Sequence, residues 1–119
     1  MAEILEPTRG KVKVANEVIA QLAAMTALQV AGVAGVADRS SPITRVIRRG
    51  GLHKGVRVEM ASDDTLKLQL FLVAESGRVL PALASQVQRQ VVGAVDRMLG
   101  LSTSAVDVFF ADVRFDASG

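Results

Sequence analysis

Leu66-Lys67-Leu68-Gln69-Leu70-Phe71-Leu72-Val73-Ala74-Glu75 is the stretch that decides the fold. Leu66, Leu68, Leu70 and Leu72 recur at every second position, so an extended chain carries all four on one face. Lys67, Gln69, Phe71 and Val73 then share the other. Just upstream, Val56, Val58 and Met60 alternate with Arg57 and Glu59. The turn-forming cluster Ser62-Asp63-Asp64-Thr65 separates the two runs, which read together as a β-hairpin.

Downstream, Ser76-Gly77-Arg78 is a loop, and Pro81 suits the first turn of a helix. Leu80, Ala84, Val87, Val91, Val95 and Met98 or Leu99 follow in steps of three and four, one continuous apolar stripe. Gln86, Arg89, Gln90 and Arg97 lie off it, and Gly100 followed by Leu101 predicts a Schellman ending. The last strand spans Ala105 to Phe115. Val106, Val108 and Phe110 share one face, whereas Phe109, Ala111, Val113 and Phe115 share the other. The apolar side changes at Phe109-Phe110, which predicts a bulge or a strand covered on both faces.

Upstream, residues 1–9 form a leader containing Pro7, and Lys11 to Val14 reads as a short strand with Val12 and Val14 on one face. Asn16 is the expected cap of a helix running to Ala31, with Val18, Ile19, Leu22, Met25 and Leu28 or Gln29 at helical spacing and Gly32 at its end. Val33 to Ala37 is apolar throughout, as in a buried strand. Between residues 38 and 55, Ser40-Ser41-Pro42 predicts a short basic helix or loop, closed by Gly50-Gly51. The order is β-α-β, that connection, then β-β-α-β. The expectation is an α+β fold over residues 10–116: a mixed sheet of about five strands with two main helices packed on one face. The leucines meet the helices. The opposite face keeps Phe71, Val73 and Phe109, an assembly face in search of a partner.

Composition fits one domain. The chain has 119 residues, half of them hydrophobic and 22% charged, which excludes disorder outside the ends. With four Phe and neither Trp nor Tyr, the core must be aliphatic. The absence of Cys removes disulfides, thiolate metal sites and cysteine nucleophiles, and it fits a reducing compartment. The N-terminus carries acid where a signal peptide carries Lys or Arg, and no window of about 18 residues is apolar enough to span a membrane. A cytoplasmic location is expected. Net charge is +2, but residues 39 to 57 hold Arg39, Arg45, Arg48, Arg49, Lys54 and Arg57 with no acid, which leaves the rest of the chain at −4.

Signals for catalysis are weak. His53 is the single histidine and stands beside Lys54, which disfavours both protons and cations there. A solvated loop residue is the simpler account. Asp63-Asp64 occupies a turn that favours Asp for backbone reasons. Asp107, Asp112 and Asp116 are expected to face solvent or to pair with arginines. The motifs G-x-S-x-G, Walker A and G-x-G-x-x-G are missing. Gly32-Val33-Ala34-Gly35 matches the G-x-x-G of KH domains, but its apolar middle suits a helix end entering a strand better than a phosphate clamp. Neither cofactor nor metal is expected. The cations Arg45, Arg48, Arg49, Lys54 and Arg57 lie near Ile43, Val46, Ile47 and Leu52. They form a solvated face, or they meet an anionic lipid surface or an acidic partner. Nucleic acid is disfavoured because no aromatic interleaves the charges.

Several segments in order resemble one bacterial family. They are Gly10-Lys11-Val12-Lys13-Val14-Ala15-Asn16-Glu17-Val18-Ile19, then Gly32-Val33-Ala34-Gly35-Val36, then Leu52-His53-Lys54-Gly55-Val56-Arg57-Val58. Leu70-Phe71-Leu72-Val73-Ala74-Glu75-Ser76-Gly77, Leu80-Pro81, Val87-Gln88, Ala94-Val95 and Met98-Leu99-Gly100-Leu101 continue the series. The sequence is similar, from about Gly10 to Phe115, to the alkaline shock protein, or general-stress, family, also called the cell-envelope stress response family. It departs from that pattern at Asn16, where Pro is usual, and at Ser76, where Tyr is frequent. The resemblance implies a non-catalytic protein tied to envelope stress or lipid metabolism, with relatives that self-assemble or are held by a membrane anchor protein. It carries over no active-site residues and no small-molecule substrate. The expected partners are self and a membrane-anchored protein, with association at the cytoplasmic side of the membrane. A KH-like RNA-binding module is the alternative.

Overall fold

The leucine alternation produces a ten-residue strand, β4 (Leu66–Glu75), around which the sheet is built. The computed structural model describes residues 13–38, 46–47 and 54–115. Strand β5 (Thr103–Arg114) runs parallel to β4 along its whole length, from Thr103 opposite Leu66 to Arg114 opposite Glu75. Two strands pair antiparallel with β4 over different stretches: β3 (Val56–Met60) with Leu66 to Leu70, and β1 (Val33–Ala37) with Leu72 to Ala74. They share the edge that β5 leaves. Strand β2 (Val46–Ile47) pairs with β1, opposite Ala37 and Val36. Among the described residues the sheet has five strands and is mixed, because β5 is parallel to its neighbour.

Helices α1 (Asn16–Leu28) and α2 (Leu80–Leu99) cover one face. Leu66, Leu68, Leu70 and Leu72 point at them and are fully buried, each contributing about 1.5–3 kcal/mol of hydrophobic stabilisation. From α2 come Leu83, Val87, Val91 and Val95. From α1 come Ile19 and a surface of alanines, Ala20, Ala23, Ala24 and Ala27. Small side chains let α1 approach the sheet closely, so its core face is flat while α2 supplies bulk. Pro81 lies in the first turn of α2. Gly100 ends it at φ 68°, with its N–H donating to Asp96 O and that of Leu101 to Val95 O.

Three expectations need correction. Lys13 and Val14 belong to no strand. Val14 packs half-buried against the core as the chain enters α1, and Lys11 and Val12 lie outside the described residues. The cap of α1 is Ala15, not Asn16, and the helix closes at Gln29, so Gly32 at φ 106° serves the turn into β1 instead. Within the basic connection, Val46 and Ile47 are extended, not helical. The outer edge of β1 offers unpaired backbone groups, and a β-branched pair takes them. Of that connection Asp38, Lys54 and Gly55 are also described, whereas its other residues and residues 1–9 lie outside the described residues.

The side change in β5 is a bulge. Phe110 stands opposite Leu72 and Asp112 opposite Val73, so Ala111 is the extra residue. Val106, Val108 and Phe110 therefore face the helices before it, and Val113, opposite Ala74, does so after it. A second shift leaves Ser104 extra, and its Oγ donates to Leu66 O at 3.2 Å.

Candidate assembly surface

The face of the sheet turned away from the helices is built from side chains that alternate with the core. Register places them in rows. Arg57, Gln69 and Asp107 form one, Glu59, Lys67 and Ala105 a second, and Glu75 and Arg114 a third. Between the rows lie Phe71 and Phe109, directly opposite each other on β4 and β5. Their rings are stacked, with centroids 4.9 Å apart and planes 16° from parallel. Phe71 is half-buried, whereas Phe109 is 44% exposed. Two of the four phenylalanines of an otherwise aliphatic protein thus share one solvent-facing spot.

Val73, expected beside them, is only 2% exposed, flanked by Gly35 on β1 and Asp112 on β5. It is not part of the surface. Charges surround the aromatic pair in near balance: Arg57, Lys67 and Arg114 against Glu59, Glu75, Asp107 and Asp112. Arg57 Nη2 lies 3.9 Å from Glu59 Oε2 with both side chains more than half exposed. Such a pair is worth under about 1 kcal/mol, so Arg57 can exchange partners at little cost. An aromatic centre inside a mixed-charge rim is the usual anatomy of a protein–protein contact. A phosphate-binding face would carry a surplus of cations.

A family model described as alkaline shock protein 23, cell envelope-related function, matches residues 5–115. The chain belongs to this family. The Bacillus subtilis protein YqhY is 33% identical over 110 residues, covering 90% of this chain and 79% of YqhY. YloU of the same organism is 25% identical over 108 residues, covering 88% of this chain and 89% of YloU. Among solved structures, a variant of the MamM CTD superposes with a TM-score of 0.48 at 16% identity, over 81% of this chain and 93% of that one.

In this member of the alkaline shock protein 23 family, the other residues singled out from sequence fall at separate places or outside the described residues. Lys54 is exposed at the entry to β3, and Arg57 is on the aromatic face. Arg45, Arg48, Arg49, His53 and Asp116 lie outside the described residues. Asp63 acts on its own turn: its Oδ1 accepts from the Thr65 hydroxyl at 2.6 Å and the Thr65 N–H at 3.2 Å. The Thr65 hydroxyl, then the Thr65 N–H, hold the Asp63 carboxyl below its ordinary range. Asp64 takes φ 66° in the same turn. Asp112 accepts from the Val113 N–H at 2.8 Å beside the bulge. Among the described residues no cluster of three or more metal-ligating side chains occurs. Gly32 to Gly35 leads into a buried strand whose backbone pairs with β4, so no open loop clamps phosphate there. No helix among the described residues is long and apolar enough to cross a membrane.

Two further features bear on docking. Among the described residues β5 pairs only with β4, but its outer edge is blunted by both bulges and by Gln88, whose Nε2 donates to Val106 O at 2.9 Å. The face is therefore better suited to contact than the edge. A groove of about 380 Å³ lies between the end of α1 and α2, lined by Thr26, Gln29, Gln86, Arg89 and Gln90 among others. Its lining holds neither carboxylate nor imidazole to move a proton. Sequence reading placed Phe71 and Phe109 on one face but not ring against ring, because β4 and β5 meet only across α2. The matching triplets Leu70-Phe71-Leu72 and Val108-Phe109-Phe110 are the signal that could have found it.

Proposed function

We propose that this chain is a non-catalytic, envelope-associated assembly protein that works at the cytoplasmic side of the membrane. It self-associates through the helix-free sheet face and docks there or nearby on a membrane-anchored partner. The observation that carries this reading is the stacked Phe71–Phe109 pair, half in solvent, at the centre of a face whose charges almost cancel. Exposed aromatics cost solubility, and burying them against a second aromatic face recovers that cost. Near-neutral charge lets one copy approach another without net repulsion. The cell envelope-related description of the family supports the setting. The basic residues Arg45, Arg48, Arg49, Lys54 and Arg57 supply attraction toward an acidic partner or the anionic leaflet.

Sedimentation equilibrium tests the reading. The native chain is expected to gain mass with concentration, and Phe109→Asp to gain markedly less over the same concentrations with unchanged far-ultraviolet circular dichroism. A native chain that stays monomeric into the millimolar range refutes self-association through this face. Hydrolysis or transfer activity in a substrate screen refutes the non-catalytic part.

A further inference from the structure

The groove between the end of α1 and α2 is lined by hydrogen-bonding side chains and by no negative charge. Gln29 lines it from the close of α1, and Gln86, Arg89 and Gln90 line it from α2. Among the described residues none of these four side chains has a hydrogen bond or an ion pair. Gln88, on the same helix, is different: it turns to β5 and spends its amide on Val106 O. Arg78 is also engaged. It lines an adjoining hollow of about 140 Å³ that shares Ala31 and Gln86, and its Nη2 lies 3.4 Å from Glu75 Oε1. Arg89 therefore brings the unspent charge. The last turn of α1 opposes it weakly, because the Thr26 and Ala27 carbonyls already accept from the Gln29 and Val30 N–H groups.

We infer that this groove binds a sugar or polyol phosphate monoester, with the phosphate on Arg89. A guanidinium fork pairs with two oxygens of an oxyanion. That exhausts a carboxylate, whereas a phosphate monoester keeps a third oxygen for the amide N–H of Gln86, one turn away on α2. Hydroxyl groups both donate and accept, as does each glutamine amide, so Gln29 and Gln90 match a polyhydroxylated body. Thr26 adds an acceptor, since its Oγ1 already donates to Leu22 O at 2.7 Å. Val30 and Ala31 supply apolar lining for the C–H groups. The volume, about 380 Å³, falls within the range of small-molecule sites. With neither carboxylate nor imidazole in the lining, the ligand is held and not converted. This site is separate from the Phe71–Phe109 face and stands whether or not that face assembles.

Glucose 6-phosphate is a suitable probe, followed by NMR of the side-chain amides in the native protein. The Gln29, Gln86 and Gln90 signals are expected to shift and saturate with a Kd of about 1 mM or tighter, while Gln88 holds still. Arg89→Gln, an exposed substitution that leaves the core alone, is expected to weaken binding at least tenfold. Arg97→Gln, further along the same helix, is expected to change it less than about twofold. Glucose lacks the anion, gluconate the third oxygen, and inorganic phosphate the hydroxylated body, so each is expected to bind at least fivefold more weakly. A lipid phosphodiester headgroup also lacks the third free oxygen, and micelles of short-chain phosphatidylglycerol are expected not to displace the probe. Amides unmoved at about 10 mM probe, equal binding by Arg89→Gln, equal binding of gluconate, or displacement by the micelles overturns the inference.

Discussion

The Val36 side chain occupies the space that a Cβ on Gly55 would need. Strands β1 and β3 share one edge of β4, and Gly55, just before β3, is where their ends meet. The Ala37 carbonyl oxygen would lie 2.6 Å from the same Cβ, and the Phe71 carbonyl oxygen 3.5 Å. The junction closes only over a residue without a side chain, and it lies beside the strand position that presents Phe71.

Gly55→Ala is therefore expected to destabilise by about 2 kcal/mol or more, because backbone and a fully buried valine must both move. Gly93→Ala is expected to do the opposite. In α2 its Cβ would meet only the far end of Arg97, at 2.9 Å, which swings away, leaving a gain in helix propensity of up to about 1 kcal/mol. Urea denaturation of both variants measures the contrast. Equal signs would contradict the packing described for the junction.

The alanine face of α1 makes a second prediction. Ala24 is fully buried against the sheet. Ala24→Leu adds apolar surface but forces the helix off the leucines, and it is expected to cost about 1–3 kcal/mol. A stabilised variant would mean that the layer has room to spare.

Local pattern explains what could be read in advance. Strands β3 and β4 and helix α2 declare themselves through their own periodicity, and the β5 bulge through a single change of apolar side at Phe109-Phe110. Features that depend on distant partners do not. Val46-Ile47 is a strand only because β1 lies beside it. Val73 reads as a surface residue until its cross-strand neighbours are known, and Phe71 meets Phe109 only through the parallel register. The start of α1 misled for a different reason: Asn16 is a good cap by type, but the chain turns one residue earlier, at Ala15.

The turn at Asp63 gives a pH prediction. A carboxyl whose folded pKa is depressed adds stability above its unfolded value near 3.8, and that contribution is lost as pH falls through the lower folded value. Thr65→Val removes the hydroxyl donor, the largest cause of the depression. Titration of the Asp63 carboxyl by NMR is expected to move up toward 3.8 in that variant. An unmoved midpoint would assign the depression to other groups.

For the basic segment, replacing Arg45, Arg48 and Arg49 with Gln is expected to weaken binding to vesicles rich in anionic lipid while leaving the thermal midpoint unchanged. Native binding should itself fade as salt rises from 0.05 to about 0.5 M, since the attraction is between exposed charges. Binding that ignores both changes would exclude electrostatic docking.

The account rests on one face of one sheet. With only four phenylalanines in the chain, selective ring labelling gives one resolvable NMR probe each for Phe71, Phe109, Phe110 and Phe115. On concentrating the protein, the Phe71 and Phe109 ring signals are expected to shift together while Phe110, packed toward the helices, holds still. Shifts confined to Phe110 or Phe115, or four signals indifferent to concentration, would contradict assembly through the Phe71–Phe109 face.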